Sequence, residues 1–183
     1  LANSPKGEHK EAAYELAKEY IVEKPHLWFN PLFTEERVPN YMAKIENSRV
    51  GATFPTLQLR EGKDKERHYP SNRSKFSYLY IFTPDCPICK PFSYELKAIY
   101  KQIKRLKGEV VAIYLGGDRE SVKRYKREMG IKWRVLYYPE QLESPLQNRV
   151  ECDVVPMTYL LDSSGTIVAK EINTVQLLKL VEE

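Results

Sequence analysis

Two cysteines separated by two residues, Cys86 and Cys89, constrain this chain more than any other feature, because they lie where a strand passes into a helix. Residues 78–82 form an apolar run of the strand type, and an amphipathic stretch follows Lys90. We predict Pro87 at the first helical position and Cys86 at the N-cap. Free N–H groups and the helix dipole at this end stabilise a thiolate and lower its pKa. Cys89, one turn further, is the natural resolving thiol.

The same pattern of cysteines also occurs in zinc sites and in structural disulfides. Cys152 and the three histidines, which lie upstream and far apart, supply no second ligand pair at metal spacing. A structural disulfide across two residues closes a very short loop and constrains little of the unfolded chain. The favoured interpretation is a redox pair, with no metal and no cofactor.

The length and the charge of the chain exclude several classes of protein. Its 183 residues suffice for one domain and an appendage that fold without disulfides. No apolar run approaches the ~18 residues that span a bilayer. The net charge of +4 is modest, and the basic runs at 101–107 and 123–127 are interpreted as solvated faces of helices. We therefore expect no nucleic-acid partner and no transmembrane segment.

The N-terminal part is predicted to be helical and the rest to alternate between strands and helices. Residues 8–20 carry a helical stripe that includes Leu16, and a second helix is expected from residue 35 or 39 to residue 47. Three side chains of that second helix are predicted to face inward: Tyr41, Met42 and Ile45. Together these helices form a predicted extension over residues 1–49.

From residue 50 onward the pattern indicates a sheet covered by helices. The predicted elements are a strand at 56–60, a turn at 61–64 that would close a hairpin, a loop up to residue 75, a strand at 78–82, a helix at 87–107, a strand at 109–115, a helix at 118–129, a strand at 134–138, a hairpin over 157–170 and a helix from residue 173. Asp118 and Gly130 are expected to cap the 118–129 helix. Alternation of strands and helices favours parallel βαβ units.

This order, with the cysteine pair after the first central strand and Val155-Pro156 before a late hairpin, resembles the thioredoxin superfamily over residues 51–183. Residues 50–59 look like the opening of TlpA- and ResA-like extracytoplasmic thiol-disulfide oxidoreductases, and residues 155–165 look like their cis-proline segment. The resemblance implies an α/β fold of the thioredoxin-like three-layer sandwich type. A central mixed sheet is flanked by helices over residues 50–183, with residues 1–49 as a helical appendage.

The resemblance also implies the roles of individual residues. Cys86 is the attacking thiol, Cys89 the resolving thiol, and Pro156 a cis-proline beside the disulfide. A cis bond would present the backbone of Val155 for strand-like pairing with an extended substrate. Substrate contacts are accordingly expected at four positions: Pro87, Ile88, Val155 and Pro156.

Three positions depart from the family pattern. Tyr80 replaces the buried Asp of thioredoxin, and Phe92 replaces the Glu of ResA-like proteins, which leaves Glu95 or a water as a candidate proton shuttle. Pro91, at the fifth position of the predicted helix, is expected to remove a hydrogen bond and kink the first turn. Cys152 is predicted to be a structural cysteine, on one side of an alternating segment with Val150 and Val154.

Two other functions remain open at this stage. The segment from Thr83 to Cys86 fits the T-x-x-C part of the peroxiredoxin motif, although Leu79 stands where that motif has a proline. A thiol peroxidase is therefore one alternative. The other is a non-catalytic binding module that uses the same fold, because a fold does not fix a function.

The favoured function is a thiol-disulfide oxidoreductase that reduces or exchanges disulfides in proteins of the bacterial cell envelope. Its expected partners are disulfide-containing proteins and a thiol electron donor. A His between the cysteines is typical of strongly oxidising members of the superfamily. This chain has none there, which favours a reducing couple. The resemblance implies a periplasmic or cell-envelope location. The absent initiating Met is compatible with a mature form that has lost a signal segment or a lipid anchor.

Overall fold

The computed structural model describes residues 12, 14–16, 18–19, 37–71, 74–83, 85–116, 118–138 and 146–182. Most of the predicted helix at 8–20 lies outside the described residues.

Seven strands form one sheet at the centre of the fold. They are β1 (Leu57–Glu61), β2 (Lys65–Tyr69), β3 (Phe76–Phe82), β4 (Gly108–Tyr114), β5 (Arg134–Tyr137), β6 (Met157–Asp162) and β7 (Ile167–Lys170). Their order across the sheet is β2-β1-β5-β4-β3-β6-β7. β3, β4 and β5 are parallel, and the other neighbours pair in the antiparallel sense. The predicted mixed sheet with a parallel centre is confirmed.

Helices cover both faces of this sheet. The helices are α1 (Arg37–Glu46), α2 (Cys89–Arg105), α3 (Arg119–Met129) and α4 (Thr174–Glu182), with a short 3-10 helix at Leu146–Asn148. Buried side chains of α2, α3 and α4 share one cluster with one face of β3. The 3-10 helix packs on the opposite face, where α1 contacts it. The predicted three-layer arrangement is confirmed.

Strand β3 explains why the two faces differ in chemistry. All seven of its residues are buried, and their side chains alternate between the two clusters. Tyr78, Tyr80 and Phe82 point toward α2, α3 and α4, whereas Leu79 and Ile81 point toward the other face. The face that α2, α3 and α4 cover is therefore rich in aromatic rings and hydroxyl groups beside the start of α2.

The predicted caps of α3 are confirmed. Asp118 Oδ1 accepts a hydrogen bond from the backbone N–H of Ser121 at 2.7 Å, which satisfies a free donor of the first turn. Gly130 ends the helix in the left-handed conformation, with φ of 58°. The two caps fix where α3 begins and ends. The helix lies in the connection between the carboxyl end of β4 and the start of β5.

The second predicted helix is confirmed as α1, but its inward face is narrower than the sequence indicates. Met42 and Ile45 are buried together with Tyr14, whereas Tyr41 and Leu16 are exposed. Positions 42 and 45 are three apart and share one face of a helix, and Tyr41 lies about 100° away from Met42. The prediction that Tyr41 faces inward is therefore wrong. The division of the chain at residue 50 stays a prediction.

The hairpin that the turn at 61–64 is predicted to close is confirmed, but the predicted loop up to residue 75 is wrong in part, because Lys65–Tyr69 forms strand β2. Four of its five residues are exposed, so the apolar alternation that marks a strand is missing. An edge strand needs only one neighbour, and main-chain pairing with β1 supplies it. The side chains add polar contacts across the pair, including a hydrogen bond from Arg67 to Glu61 at 3.0 Å.

Candidate redox site

Cys86 and Cys89 form a disulfide with their Cα atoms 5.3 Å apart. The structure therefore brings together the two residues that the sequence singles out. Cys86 is 7% exposed and Cys89 is 1% exposed. Both cysteines are therefore buried in the disulfide form, and Cys86 is the more accessible of the two.

The predicted helix start is wrong. α2 begins at Cys89, and Ile88 is the N-cap without a side-chain hydrogen bond. The backbone N–H of Cys89 donates to the carbonyl oxygen of Cys86 at 3.2 Å, so residues 86–89 form a tight turn ahead of the helix. The Cys86 sulfur still lies at the positive end of the helix, since it is bonded to the first helical residue.

The same shift removes the predicted kink at Pro91. Pro91 is the third residue of α2 rather than the fifth. The first turn of any helix has N–H groups without an intrahelical acceptor, so a proline at this position removes no hydrogen bond. The prediction of a lost bond is therefore wrong.

A network of buried hydroxyl groups supports Cys89 from below. The hydroxyl of Tyr80 donates to the carbonyl oxygen of Cys89 at 2.9 Å. Ser93 Oγ lies 3.3 Å from the Tyr80 hydroxyl oxygen and 2.7 Å from the Tyr125 hydroxyl oxygen. Burial is the main cause that raises the pKa of both tyrosines, so these hydroxyls stay protonated.

This hydroxyl network occupies the place where the thioredoxin pattern has a carboxylate. The sequence marks Tyr80 only as a departure from the family, and it gives a weak signal for Ser93, a polar residue one turn after Cys89 on the buried face of α2. Glu95, the shuttle considered from the sequence, accepts a hydrogen bond from the Thr174 hydroxyl at 3.3 Å. That contact ties Glu95 to α4 rather than to the disulfide.

The segment before β6 approaches the disulfide from the other side. The Val155–Pro156 peptide bond is cis, as the resemblance implies, and the carbonyl oxygen of Val155 lies 3.8 Å from Cys86 Sγ. Ile88, in the turn between the two cysteines, is 60% exposed, and Val154, next to Val155 in the chain, is 79% exposed. The sulfur of Cys86 is therefore close to a backbone carbonyl, and each of the two segments that meet there carries an exposed apolar residue.

The end of α1 holds this segment in place, which the sequence does not predict. The hydroxyl of Ser48 accepts a hydrogen bond from the backbone N–H of Glu151 at 2.8 Å, and Asn47 Nδ2 donates to the carbonyl oxygen of Arg149 at 3.1 Å. The ammonium of Lys44 forms an ion pair with Asp153. These contacts, here called the α1 clasp, fix the chain a few residues before the cis bond.

Cys152 lies on the opposite face of the sheet from the disulfide. It is a free thiol, 3% exposed, in the apolar cluster under the 3-10 helix. Burial is the main cause that raises its pKa to about 12, with a further increase from Asp153 and an opposing decrease from Lys44. Val154 points to solvent, so the predicted alternation from Val150 to Val154 is wrong beyond Cys152, where the chain turns toward the cis bond.

The described residues contain no group of three or more His, Cys, Asp or Glu side chains that could hold a metal ion. Within the same residues, no helix has the length and apolar character that a membrane crossing requires.

A mixed sheet with this strand order, a cysteine pair at the start of a central helix and a cis bond beside it define a thioredoxin fold with a C-x-x-C disulfide. The sequence model of the Thioredoxin-like family matches residues 74–167, just over half of the chain, and the chain belongs to this family.

Solved structures of similar fold carry thiol-disulfide names. A thiol:disulfide interchange protein from Bacteroides sp. has a TM-score of 0.66 at 19% identity, over 74% of this chain and 90% of its own. The C-terminal domain of a putative thiol-disulfide oxidoreductase from Bacteroides thetaiotaomicron has a TM-score of 0.66 at 24% identity, over 74% of this chain and 95% of its own.

A curated relative comes from a plant. The chain is 29% identical over 148 residues to a probable nucleoredoxin 1 of Arabidopsis thaliana, which is 78% of this chain. The chain spans about a quarter of the length of that relative.

Proposed function

We propose that this protein is a thiol-disulfide oxidoreductase that reduces or exchanges disulfides in other proteins through Cys86 and Cys89. The observation that carries the proposal is the disulfide at the start of α2, next to the backbone carbonyl of Val155. Helix start, paired sulfurs and an adjacent main-chain acceptor are the parts that disulfide exchange with an extended substrate requires.

The proposed reaction begins with both cysteines reduced. The Cys86 thiolate attacks one sulfur of a substrate disulfide, which forms a mixed disulfide and releases the other substrate sulfur as a thiolate. The Cys89 thiolate then attacks the Cys86 sulfur, and the second substrate thiolate leaves. The substrate gains two electrons and two protons, and the protein is left with the Cys86–Cys89 disulfide. An external thiol donor reduces this disulfide again.

The substrate is proposed to bind across the cis bond. The backbone of Val155 would pair with an extended segment, and Pro87, Ile88 and Pro156 would contact the side chains around the attacked disulfide. The exposure of Ile88 and Val154 supports this assignment, since unpaired apolar side chains beside a reactive group favour a protein partner.

We further propose an extracytoplasmic location in bacteria and a reducing direction. The names of the Bacteroides structures support the bacterial assignment, and the absence of His between the cysteines supports the direction.

Reduction of insulin by dithiothreitol, followed by turbidity, tests the exchange activity. The wild-type protein should accelerate precipitation, and no acceleration would contradict the proposal. Equilibration with glutathione buffers tests the direction: a reduction potential near about −270 mV supports a reductant, and one near about −120 mV contradicts it. Consumption of hydrogen peroxide without disulfide exchange would instead favour the peroxidase alternative.

A further inference from the structure

A basic groove lies beside α3, outside the redox site. It has a volume of about 600 Å³ and is bounded by the turn after β1 on one side and by α3 on the other. Five cationic side chains border it: Lys63, Arg119, Lys123, Lys126 and Arg127. Three apolar side chains form its floor: Val122, Val135 and Tyr137. The basic residues that the sequence presents as a solvated helix face thus face a second element across a depression.

Among the described residues, the positive charge of this groove is neutralised only in part. Glu61 is the one carboxylate among the described residues that line it, and Glu61 already accepts hydrogen bonds from Arg134 at 3.2 Å and from Arg67 at 3.0 Å; the carboxylate of Asp64 contacts the hydroxyl of Tyr137. Burial alone would raise the pKa of Glu61, but the hydrogen bonds and charges of the two arginines lower it overall. Among the described residues, Lys123 alone of the five cations makes an ion pair, an exposed contact of 3.8 Å to Glu120.

Among the described residues, the groove therefore has five cationic side chains against the carboxylates of Glu61 and the nearby Asp64, which leaves a surplus of positive charge. A local surplus of this size raises the concentration of anions at the groove and favours an anionic ligand.

The spacing of the cations indicates the shape of that ligand. Four of the cations lie along one face of α3: Arg119, Lys123, Lys126 and Arg127. The first and the last are eight helical steps apart, which is about 12 Å at a rise of 1.5 Å per residue. An extended peptide covers the same distance in about four residues. The charges form a row rather than a cluster around one point, so they match a chain with several carboxylates better than a single phosphate.

The floor of the groove argues against a nucleic acid. Proteins that bind single strands provide exposed aromatic rings on which bases stack. The one ring in this floor belongs to Tyr137, which is buried and whose hydroxyl contacts Asp64. An acidic peptide needs no such ring, because its backbone and side-chain methylenes can contact valines.

The groove begins at the same edge of the sheet as the disulfide. β3 and β4 are parallel neighbours with Phe82 opposite Tyr114, so α2 and α3 both start at this edge. We propose that the groove binds an acidic, extended segment of the protein that exchanges disulfides with Cys86 and Cys89. This inference rests on the proposed function, and it gives that function a rule for choosing partners: a disulfide flanked in sequence by carboxylates.

The test uses two synthetic substrates that carry the same disulfide. In one, a flexible Gly-Ser linker of about ten residues leads to a segment of four Glu; in the other, it leads to four Gln. The initial rate of reduction at low substrate concentration gives kcat/KM for each. We expect the full chain to prefer the acidic substrate by about tenfold at low salt, and the preference to fall steeply toward 0.5 M salt.

Two charge-reversal variants locate the effect. Lys123→Glu with Arg127→Glu changes two exposed groove positions, four residues apart on α3. Lys101→Glu with Arg105→Glu makes the same change on exposed positions of α2 outside the groove. The α3 variant should lose the preference, and the α2 variant should retain most of it. Both variants should reduce the neutral substrate as the wild type does.

The remaining outcomes contradict either the groove inference or the proposed function, each in a distinct way. Equal kcat/KM for the two substrates, or equal loss in both variants, would show that the groove selects nothing. Stronger competition by a single-stranded oligonucleotide than by the acidic peptide would assign the groove to nucleic acid. If neither substrate is reduced while the acidic one binds more tightly than the neutral one, the proposed function fails and the binding site survives.

Discussion

Two cysteines of this protein are almost equally buried and lie on opposite faces of one sheet, yet their surroundings differ in kind. Cys89 is the first residue of α2, is bonded to Cys86 and has its carbonyl held by the Tyr80 hydroxyl. Cys152 is unpaired, and apolar side chains raise its pKa to about 12. Burial alone therefore does not make a cysteine inert or reactive. The position at a helix start and the second sulfur make the difference.

The largest effect in this comparison is expected at Cys86. Cys86→Ser removes the attacking sulfur, so insulin reduction should fall to the rate of dithiothreitol alone. The circular dichroism spectrum should stay that of the wild type, because the substitution is small and the reduced protein needs no disulfide to fold. Residual turnover above the background would mean that another thiol attacks.

Cys89→Ser is expected to stop the reaction one step later. The first attack remains possible, but no thiolate is left to resolve the mixed disulfide. Incubation with a substrate disulfide should give a long-lived adduct, visible by mass spectrometry and cleaved by dithiothreitol. The assignment of attacking and resolving roles would be reversed if the adduct accumulated with Cys86→Ser instead.

A pair of tyrosine variants compares the supports of the two faces. The hydroxyl of Tyr80 donates to Cys89, and the hydroxyl of Tyr159 donates to the carbonyl oxygen of Glu151, next to Cys152, at 2.6 Å. Each Tyr→Phe change should lower the free energy of unfolding by about 1–3 kcal/mol, since it leaves a buried acceptor without its donor. Urea titration measures this loss.

Only Tyr80→Phe should also change the redox couple. If the hydrogen bond stabilises the disulfide form by about 1 kcal/mol more than the dithiol form, its loss raises the reduction potential by roughly 20 mV. Tyr159→Phe serves as the matched control and should leave the potential unchanged. Equal potentials in both variants would reduce Tyr80 to an ordinary core residue.

The smallest effect on exchange is expected at Cys152. Cys152→Ala should leave insulin reduction unchanged and cost about 1 kcal/mol of stability through the small cavity. Iodoacetamide at pH 8 should label Cys152 only after unfolding, because its pKa of about 12 keeps the native thiol protonated. Rapid labelling of the native protein at Cys152 would contradict this.

The raised pKa of Cys152 also predicts that the free energy of unfolding depends on pH. The folded state keeps the Cys152 proton up to about pH 12, whereas the unfolded chain loses it near 9.0. The free energy of unfolding should therefore decline as the pH rises between these values. The decline should be shallower in Cys152→Ala, and identical slopes would rule out Cys152 as its source.

The sequence predicts those parts of the fold that repeat or that end in a definite signal. Strand β3, helix α3 with its caps at Asp118 and Gly130, and the position of the cysteine pair belong to this group. The turn at 61–64 predicts a hairpin, but the extent of strand β2 escapes prediction because main-chain pairing, not an apolar face, makes it a strand.

Contacts that join distant parts of the chain also escape prediction. The hydroxyl network links Tyr80, Ser93 and Tyr125, and the α1 clasp links residues about a hundred positions apart. Apart from the weak signal at Ser93, the local sequence does not show which residues form these contacts. The helix start at Cys89 is missed for a different reason, since a proline after the first cysteine suits a turn as well as a first helical turn.

The α1 clasp has a practical consequence for work on fragments. A chain cut at residue 50 would lose the hydroxyl of Ser48 and leave the backbone N–H of Glu151 to find water. The same cut would remove the contact between α1 and the 3-10 helix at Leu146–Asn148. The minimal catalytic fragment would then present a loosened Val155–Pro156 segment to its substrates. Kinetic constants measured on such a fragment would describe a different binding surface from that of the longer chain.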